Sequence, residues 1–432
     1  MTRNVWLFAG VAVLFILTGQ LQSWNLSLSI LNMCLLSAIM AMGVNMQWGY
    51  AGLFNTGVMG FAALGGLAVV LISAPAVPAG WAVGGPGILF ALVVGAAAIG
   101  LAIVVYGWLP KGRTRTAAML AVLIGGFFLY RYLFDPAAMA VESNDPAAAG
   151  NIGGLALPSL LAWPIGGVLA ALAAWAIGKI ALGLRSDYLA IATLGIAEII
   201  VAVMRNEDWL ARGVKNQTGL PRPWPVPYEV DLQQTASFLD GAATWGLDPV
   251  TTSSILVKLL YAVLFAVVLG LVIWGSERAL NSPWGRMMRA IRDNEVSAEA
   301  MGKHVTRRHL HVFIIGSAVI GIAGAMMTSM EGQLTPGTYN PLRFTFLIWV
   351  MVIVGGSGNN WGSLLGALLI GWLWLIVETV GPGIMGAVAS GMADGALKTH
   401  LIDSAQHMRL LTLGVILLVV LRFSPRGLIP EK

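Results

Sequence analysis

Apolar runs near the roughly 20 residues of a bilayer-crossing helix recur along this chain and decide what it can fold into. They raise the hydrophobic share to 57% of 432 residues, against roughly 45–50% in soluble domains. The runs predict spans near 5–22, 27–46, 52–74, 87–109, 117–134, 157–180, 188–205, 255–275, 310–330, 343–355, 361–380 and 407–422. The expected fold is an all-α polytopic membrane protein with about 10–12 transmembrane helices, in one transmembrane domain over residues 1–432. The stretches around 46–60 and 343–366 are expected to be broken or re-entrant helices. The first run resembles a signal peptide but lacks a clear A-x-A site, so it reads as an uncleaved span. The single cysteine, Cys34, lies in an apolar run and excludes an intrachain disulfide.

Charge is concentrated in one place. Residues 276–311 hold eleven of the chain's 45 charged side chains, seven of them Lys or Arg. Loops this basic stay on the cytoplasmic side. With 276–311 inside, both termini are cytoplasmic, as are Lys111, Arg113, Lys179 and Arg185. The loop 206–252 then lies outside, with six acids and three bases. The net charge of +5 reflects this placement and does not argue for nucleic acid. Within 276–311, Trp284, Met287, Met288, Ile291 and Val296 recur at roughly helical spacing with arginines between them. Ala298, Ala300, Met301 and Gly302 follow as a patch of small residues and one methionine that would let another protein approach closely. A solvated loop with a membrane-surface helix is the plainer reading of the same composition.

Two stretches share the spacing G-x2-G-x7-G: Gly49, Gly52 and Gly60, and Gly355, Gly358 and Gly366. Polar residues accompany both, Gln47, Asn55 and Thr56 in the first, Ser357, Asn359 and Asn360 in the second. Paired glycine interruptions of this kind mark a candidate internal repeat around a pathway, although most in-span glycines serve close helix packing. Glu198 is the clearest charge inside a span. A carboxylate there faces protein or water, so it reads either as part of the pathway wall or as a structural carboxyl. The outer segment around Trp224 and Tyr228 has four prolines in seven residues, which favours extended backbone.

Four stretches together resemble the permeases of branched-chain amino acid ABC importers, specifically the LivM-like subunit. They are GRMMRAIRDNEVSAEAMGKHVTRRHLHVF in the charged loop, GVNMQWGYAGLFNTGVMGFAALGG at 43–66, LRSDYLAIATLGIAEII at 184–200 and VGGSGNNWGSLLGALL at 354–369. The family's E-A-A-x-x-x-G motif is loose here, and residues 110–151 have no placed counterpart. The resemblance implies that Arg286, Arg289, Arg292, Glu295, Ala298, Glu299, Ala300 and Gly302 form the contact with an ATPase subunit. Gln47, Asn55, Thr56, Glu198, Ser357 and Asn359 are the candidate pathway residues. The implied partners are a homologous second permease subunit, two ABC ATPases that hold the ATP, and a periplasmic substrate-binding protein that supplies affinity. The implied location is the bacterial inner membrane. Trp224 and Tyr228 would then contact the binding protein or anchor the loop at the lipid interface.

Catalytic motifs are missing. No G-x-x-x-x-G-K-[ST] is present to cradle nucleotide phosphates, and no G-x-S-x-G elbow appears. His400, Asp403 and His407 read as an interfacial helix in preference to a metal site. No cofactor is expected on this chain. Two transport alternatives stand beside the leading one: a urea or short-chain amide ABC importer, and an ion-coupled secondary transporter with Glu198 as proton carrier. A secondary transporter would not need the coupling segment.

Overall fold

The computed structural model describes residues 2–145, 150–184, 186–244, 246–392 and 395–431; Arg185 lies outside them. Among the described residues nine helices are long and apolar enough to cross a bilayer, and two shorter apolar helices, Val58–Ser73 and Leu342–Gly355, lie among them. Helix is the form that satisfies backbone polar groups within one segment when no water is near. The chain is an all-α, multi-pass membrane protein. Each of the twelve expected spans overlaps a helix, although the one expected at 52–74 is helical only from Val58.

Helices α1 (Thr2–Leu21) and α2 (Trp24–Asn45) are separated by a tight turn, where the Ser23 side chain accepts from the Leu26 amide at 3.1 Å. From α2 the chain passes to α3 (Val58–Ser73) and a short α4 (Pro78–Val83). Helices α5 (Gly85–Trp108) and α6 (Arg113–Asn144) form a hairpin, and α7 (Ser159–Ala181) and α8 (Ser186–Asn206) follow. After the loop 207–248, α9 (Pro249–Leu280) begins with Asp248 as its cap, accepting from the Thr251 amide at 2.8 Å. Two short helices, α10 (Pro283–Asp293) and α11 (Glu295–Ala300), make up the charged segment. The remaining helices are α12 (Val305–Glu331), α13 (Leu347–Gly355), α14 (Asn360–Ser390) and α15 (Met408–Phe423).

The core is built on α2, α3, α7 and α12. Helices α3, α7 and α12 approach so closely that a Cβ on Gly166 would lie 3.1 Å from the Gly65 Cα, while one on Gly65 would collide with the Gly321 carbonyl. Small residues permit that approach where lipid offers no hydrophobic drive between helices. The α5–α6 hairpin packs on itself and joins the rest mainly through α4 and the segment around Trp209. Phe90, Val93, Phe127 and Phe128 stay exposed along it, which suits a lipid surround. Residues 110–151, unplaced in sequence, are thus largely the second arm of this hairpin.

At the hairpin's anchored end, β1 (Gln217–Thr218) pairs antiparallel with β2 (Gln333–Leu334). Nearby, Arg222 pairs with Glu229 at 2.7 Å and lies over the Tyr228 ring, while Trp224 is exposed. The opposite end gathers the charged segment, Arg3 and the residues 428–431. Arg3 Nη2 donates to the Leu428 carbonyl at 3.3 Å, and Arg292 pairs with Glu431.

Candidate coupling and translocation site

Two helix breaks meet at the charged end of the bundle. Helix α2 runs into a wide π turn, Met46–Tyr50, and the chain then leaves helix until Val58. The second break lies between α13 and α14, where Gly356 and Gly358 hold φ of 118° and 81°. In the first break Gly52 holds φ of 70°. Glycine adopts this left-handed region without the steric cost that a Cβ brings. Thus Gly52 and Gly358, the second glycines of the two matched motifs, both turn the chain. The third glycines differ in use: Gly60 faces Ala197 of α8, and Gly366 faces α13.

The breaks bond directly to each other. The Gly358 amide donates to Asn45 Oδ1 at 2.8 Å, and Asn45 Nδ2 donates to Asn360 Oδ1 at 3.2 Å. The Tyr50 hydroxyl donates to the same Asn360 oxygen. Asn360 Nδ2 then donates to Glu277 Oε1 at 2.9 Å, which brings in the end of α9. Asn359 caps α14, accepting from the Trp361 and Gly362 amides at 3.0 and 3.2 Å. Its Nδ2 donates to the Pro430 carbonyl at 3.1 Å. The amides of Leu428 and Ile429 donate to the carbonyls of Val354 and Gly355, each at 2.9 Å. Residues 428–431 therefore lie as a strap along the second break.

Arg292, at the end of α10, closes this network. Its Nη1 donates to the Gly49 carbonyl and to Glu431 Oε2, the latter at 2.8 Å. Burial works against the guanidinium charge, but hydrogen bonding and charge from Glu431 and Asp293 outweigh it and raise its pKa. Arg292 thus points into the protein. Arg289 is half-buried and donates to the Leu280 carbonyl at 3.4 Å, whereas Arg286 is exposed. The apolar face of α10 sits on the bundle through Met288 and Ile291. Helix α11 is capped by Asn294, which accepts from the Ser297 amide at 2.9 Å. Ala298 faces inward; Glu295, Glu299, Ala300 and Gly302 are exposed. Gly302 ends α11 with φ of 77°, while Lys303 N donates to the Ala298 carbonyl at 3.2 Å and Gly302 N to the Glu299 carbonyl at 2.9 Å, a Schellman closure. Val296 and Met301 are 77% and 80% exposed, two apolar side chains on the outside of a polar loop. The sequence pattern grouped Val296 with the face of α10. Asn294 interrupts the helix and turns Val296 outward.

The candidate pathway residues fall into three groups. Gln47 and Asn55 are fully buried, and Thr56 nearly so. Gln47 Nε2 donates to the Phe313 carbonyl and to Ser317 Oγ, both at 3.0 Å, and its Oε1 accepts from Asn55 Nδ2 at 2.7 Å. The Thr56 amide donates to Thr193 Oγ1 at 3.1 Å, and Thr345 Oγ1 donates to the Thr56 carbonyl at 3.2 Å. Trp349 Nε1 donates to the Asn55 carbonyl at 2.9 Å, within a cluster of Trp48, Phe54 and Trp349. Non-helical backbone at membrane depth needs such partners. These three side chains clamp the first break. Ser357 and Asn359 sit in the second, with Ser357 half-buried in the turn. Glu198 stands apart. The buried stripe of α8 is Ala190, Thr193, Ala197, Val201 and Met204, which leaves Glu198 exposed, without a hydrogen-bond or ion-pair partner among the described residues.

Sequence reasoning did not select Asn45, Tyr50, Glu277 or Glu431, and cited Asn360 only as a neighbour. The available signal was weak: Asn45 is a lone amide near the end of an apolar run, and Glu277 is the first acid of the charged segment.

A membrane-embedded bundle with paired helix breaks, joined to a charged segment at one end of the bundle, is the architecture of a transport permease. The family described as "Branched-chain amino acid transport system / permease component" matches residues 115–421, and the chain belongs to it. The family is a transporter component and not an enzyme class. The chain is similar to the probable branched-chain amino acid transport permease protein LivM of Methanocaldococcus jannaschii, at 25% identity over 91% of this chain and 90% of that one. It is also similar to the high-affinity branched-chain amino acid transport system permease protein LivM of Escherichia coli, at 25% identity over 62% of this chain and 56% of that one. A shorter similarity, 27% identity over 28% of this chain and 34% of the relative, links it to the fructose import permease protein FrcC of Rhizobium meliloti. No solved structure matches the chain at a significant level.

Proposed function

We propose that this chain is the permease subunit of an ABC importer for branched-chain or related hydrophobic amino acids. It works in the bacterial inner membrane beside a homologous second permease, two ATPases that hold the ATP, and a periplasmic binding protein. The termini and the segment 276–311 face the cytoplasm. One observation carries this reading: the charged segment bonds to both helix breaks, through Arg292 to Gly49 and Glu431 and through Glu277 to Asn360. An ATPase seated on Val296, Met301, Glu295 and Glu299 would move α10 and α11. That motion reaches the breaks without crossing a flexible linker. ATP shifts the permease only through contacts that differ between its states, and this network is where the reading places that difference. Substrate then passes where the breaks open, and the binding protein sets selectivity.

An ion-coupled mechanism draws no support from Glu198, which lies on the exposed side of α8, opposite the stripe that packs on the bundle. The test is reconstitution of the permease pair with its ATPases and binding protein in proteoliposomes. Leucine, isoleucine or valine should raise ATP hydrolysis and accumulate inside in the import direction. Urea-stimulated hydrolysis, or uptake driven by a proton gradient without ATP, would overturn the assignment.

A further inference from the structure

At the charged end of the bundle α7 and α12 part, leaving an open cleft of about 1010 Å³. Lys179, in the last turn of α7, and Arg307, in the first turn of α12, line it from opposite sides. Neither cation has an ion-pair or hydrogen-bond partner among the described residues, and both are exposed. His304 and His311 add two imidazoles, and among the described residues Glu299 is the one acid on the lining. His304 gives α12 no side-chain cap, so the first-turn amides add donors on the same side. Deeper in, the lining becomes apolar: Trp175, one turn inward from Lys179, with Leu310 and Ile314 opposite. A cationic mouth at the membrane surface above an apolar, tryptophan-edged floor complements a molecule with an anionic head and a hydrocarbon tail.

We propose that this cleft binds an anionic phospholipid, with its phosphate between Lys179 and Arg307 and an acyl chain along Trp175, Leu310 and Ile314. The bound lipid braces the junction of α11 and α12, where Glu299 and His304 form part of the wall. Binding stands independently of the transport reading; an effect on coupling rests on it. A soluble phosphate would satisfy the mouth alone and leave the apolar floor uncovered. A docked ATPase would compete for the Glu299 side.

The test uses the full chain in nanodiscs of phosphatidylcholine with and without 20 mol% phosphatidylglycerol (about one lipid in five), probed by spin-labelled lipid and by native mass spectrometry. The wild type should retain phosphatidylglycerol in preference to phosphatidylcholine. Lys179→Gln with Arg307→Gln should weaken that retention roughly tenfold or more, from about 1 kcal/mol per surface cation. Lys179→Arg with Arg307→Lys should restore most of it, which separates charge from folding. Equal retention of both lipids, undiminished retention in the double glutamine variant, or full competition by millimolar inorganic phosphate would overturn the proposal. Release of the lipid on assembly with the ATPases would overturn it too, assigning the cleft to the protein partner. Loss of amino-acid transport with phosphatidylglycerol retention intact would strike only the transport reading.

Discussion

Arg292 ties the charged segment to the first helix break and to the strap that lies along the second. It holds the Gly49 carbonyl with one nitrogen and shares that nitrogen with Glu431. Both ion-pair partners keep about a quarter of their side-chain exposure, 24% and 28%. Hydrogen bonds to charged groups are worth about 1.5–3 kcal/mol when screened from water, and partial exposure moves the value toward the low end. Glu431→Gln should therefore loosen the strap and leave the bundle intact. Hydrogen exchange at the Leu428 and Ile429 amides should speed up severalfold, with the amides of α2 unchanged. Unchanged exchange at 428 and 429 would show that the backbone bonds alone hold the strap. Asn45 is the buried counterpart, accepting from Gly358 and donating to Asn360. Asn45→Ala leaves the Gly358 amide unpartnered, at a cost of about 1–3 kcal/mol. The thermal midpoint of the purified permease should fall by several degrees, and an unchanged midpoint would mean that water or another group replaces Asn45.

Helix α11 and its C-cap present the exposed pair Val296 and Met301, which no described residue covers. Val296→Asp with Met301→Glu should abolish co-purification of the ATPases while the melting profile of the permease stays within a degree or so, since exposed positions outside special contacts shift stability by about ±0.5 kcal/mol. Retained ATPase binding would move the docking surface elsewhere. Gly302 answers a different question. Its φ of 77° is strained for any side chain, so Gly302→Trp perturbs the turn as well as the surface. The surface pair separates those effects. At this scale much was legible in sequence. Apolar run length located the nine helices long enough to cross and the shorter apolar ones between them, and Gly49, Gly52, Gly355 and Gly358 marked both breaks. The inward aim of Arg292 was not legible. Neither was the outward aim of Glu198, since α8 carries apolar residues on both sides and only packing decides which side is covered. The bonds of Asn45 to Gly358 and Asn360 span over 300 residues of sequence, and no local pattern encodes such a pairing.

At the scale of the whole molecule, the bundle has one end carrying Arg3, α10, α11 and the strap, and another carrying β1, β2 and the segment 207–248. The proposed orientation puts the first end in the cytoplasm, consistent with the basic bias of its loops. In a Cys34→Ala background, single cysteines at 113, 289 and 426 should resist a membrane-impermeant thiol reagent in intact cells, and one at 224 should react. Labelling at 289 from outside would invert the orientation. The central claim is that the strap, both breaks and the charged segment move as one linked body when ATP is used. Its most direct test is the number of substrate molecules imported per ATP hydrolysed, measured in the same proteoliposomes for wild type and Arg292→Gln, with ATPase binding checked by co-purification. Import per ATP should fall at least roughly tenfold, the scale of one lost contact of about 1.4 kcal/mol, while the ATPases stay bound and continue to hydrolyse. An unchanged ratio in a complex that lacks the Arg292 contacts would contradict the claim.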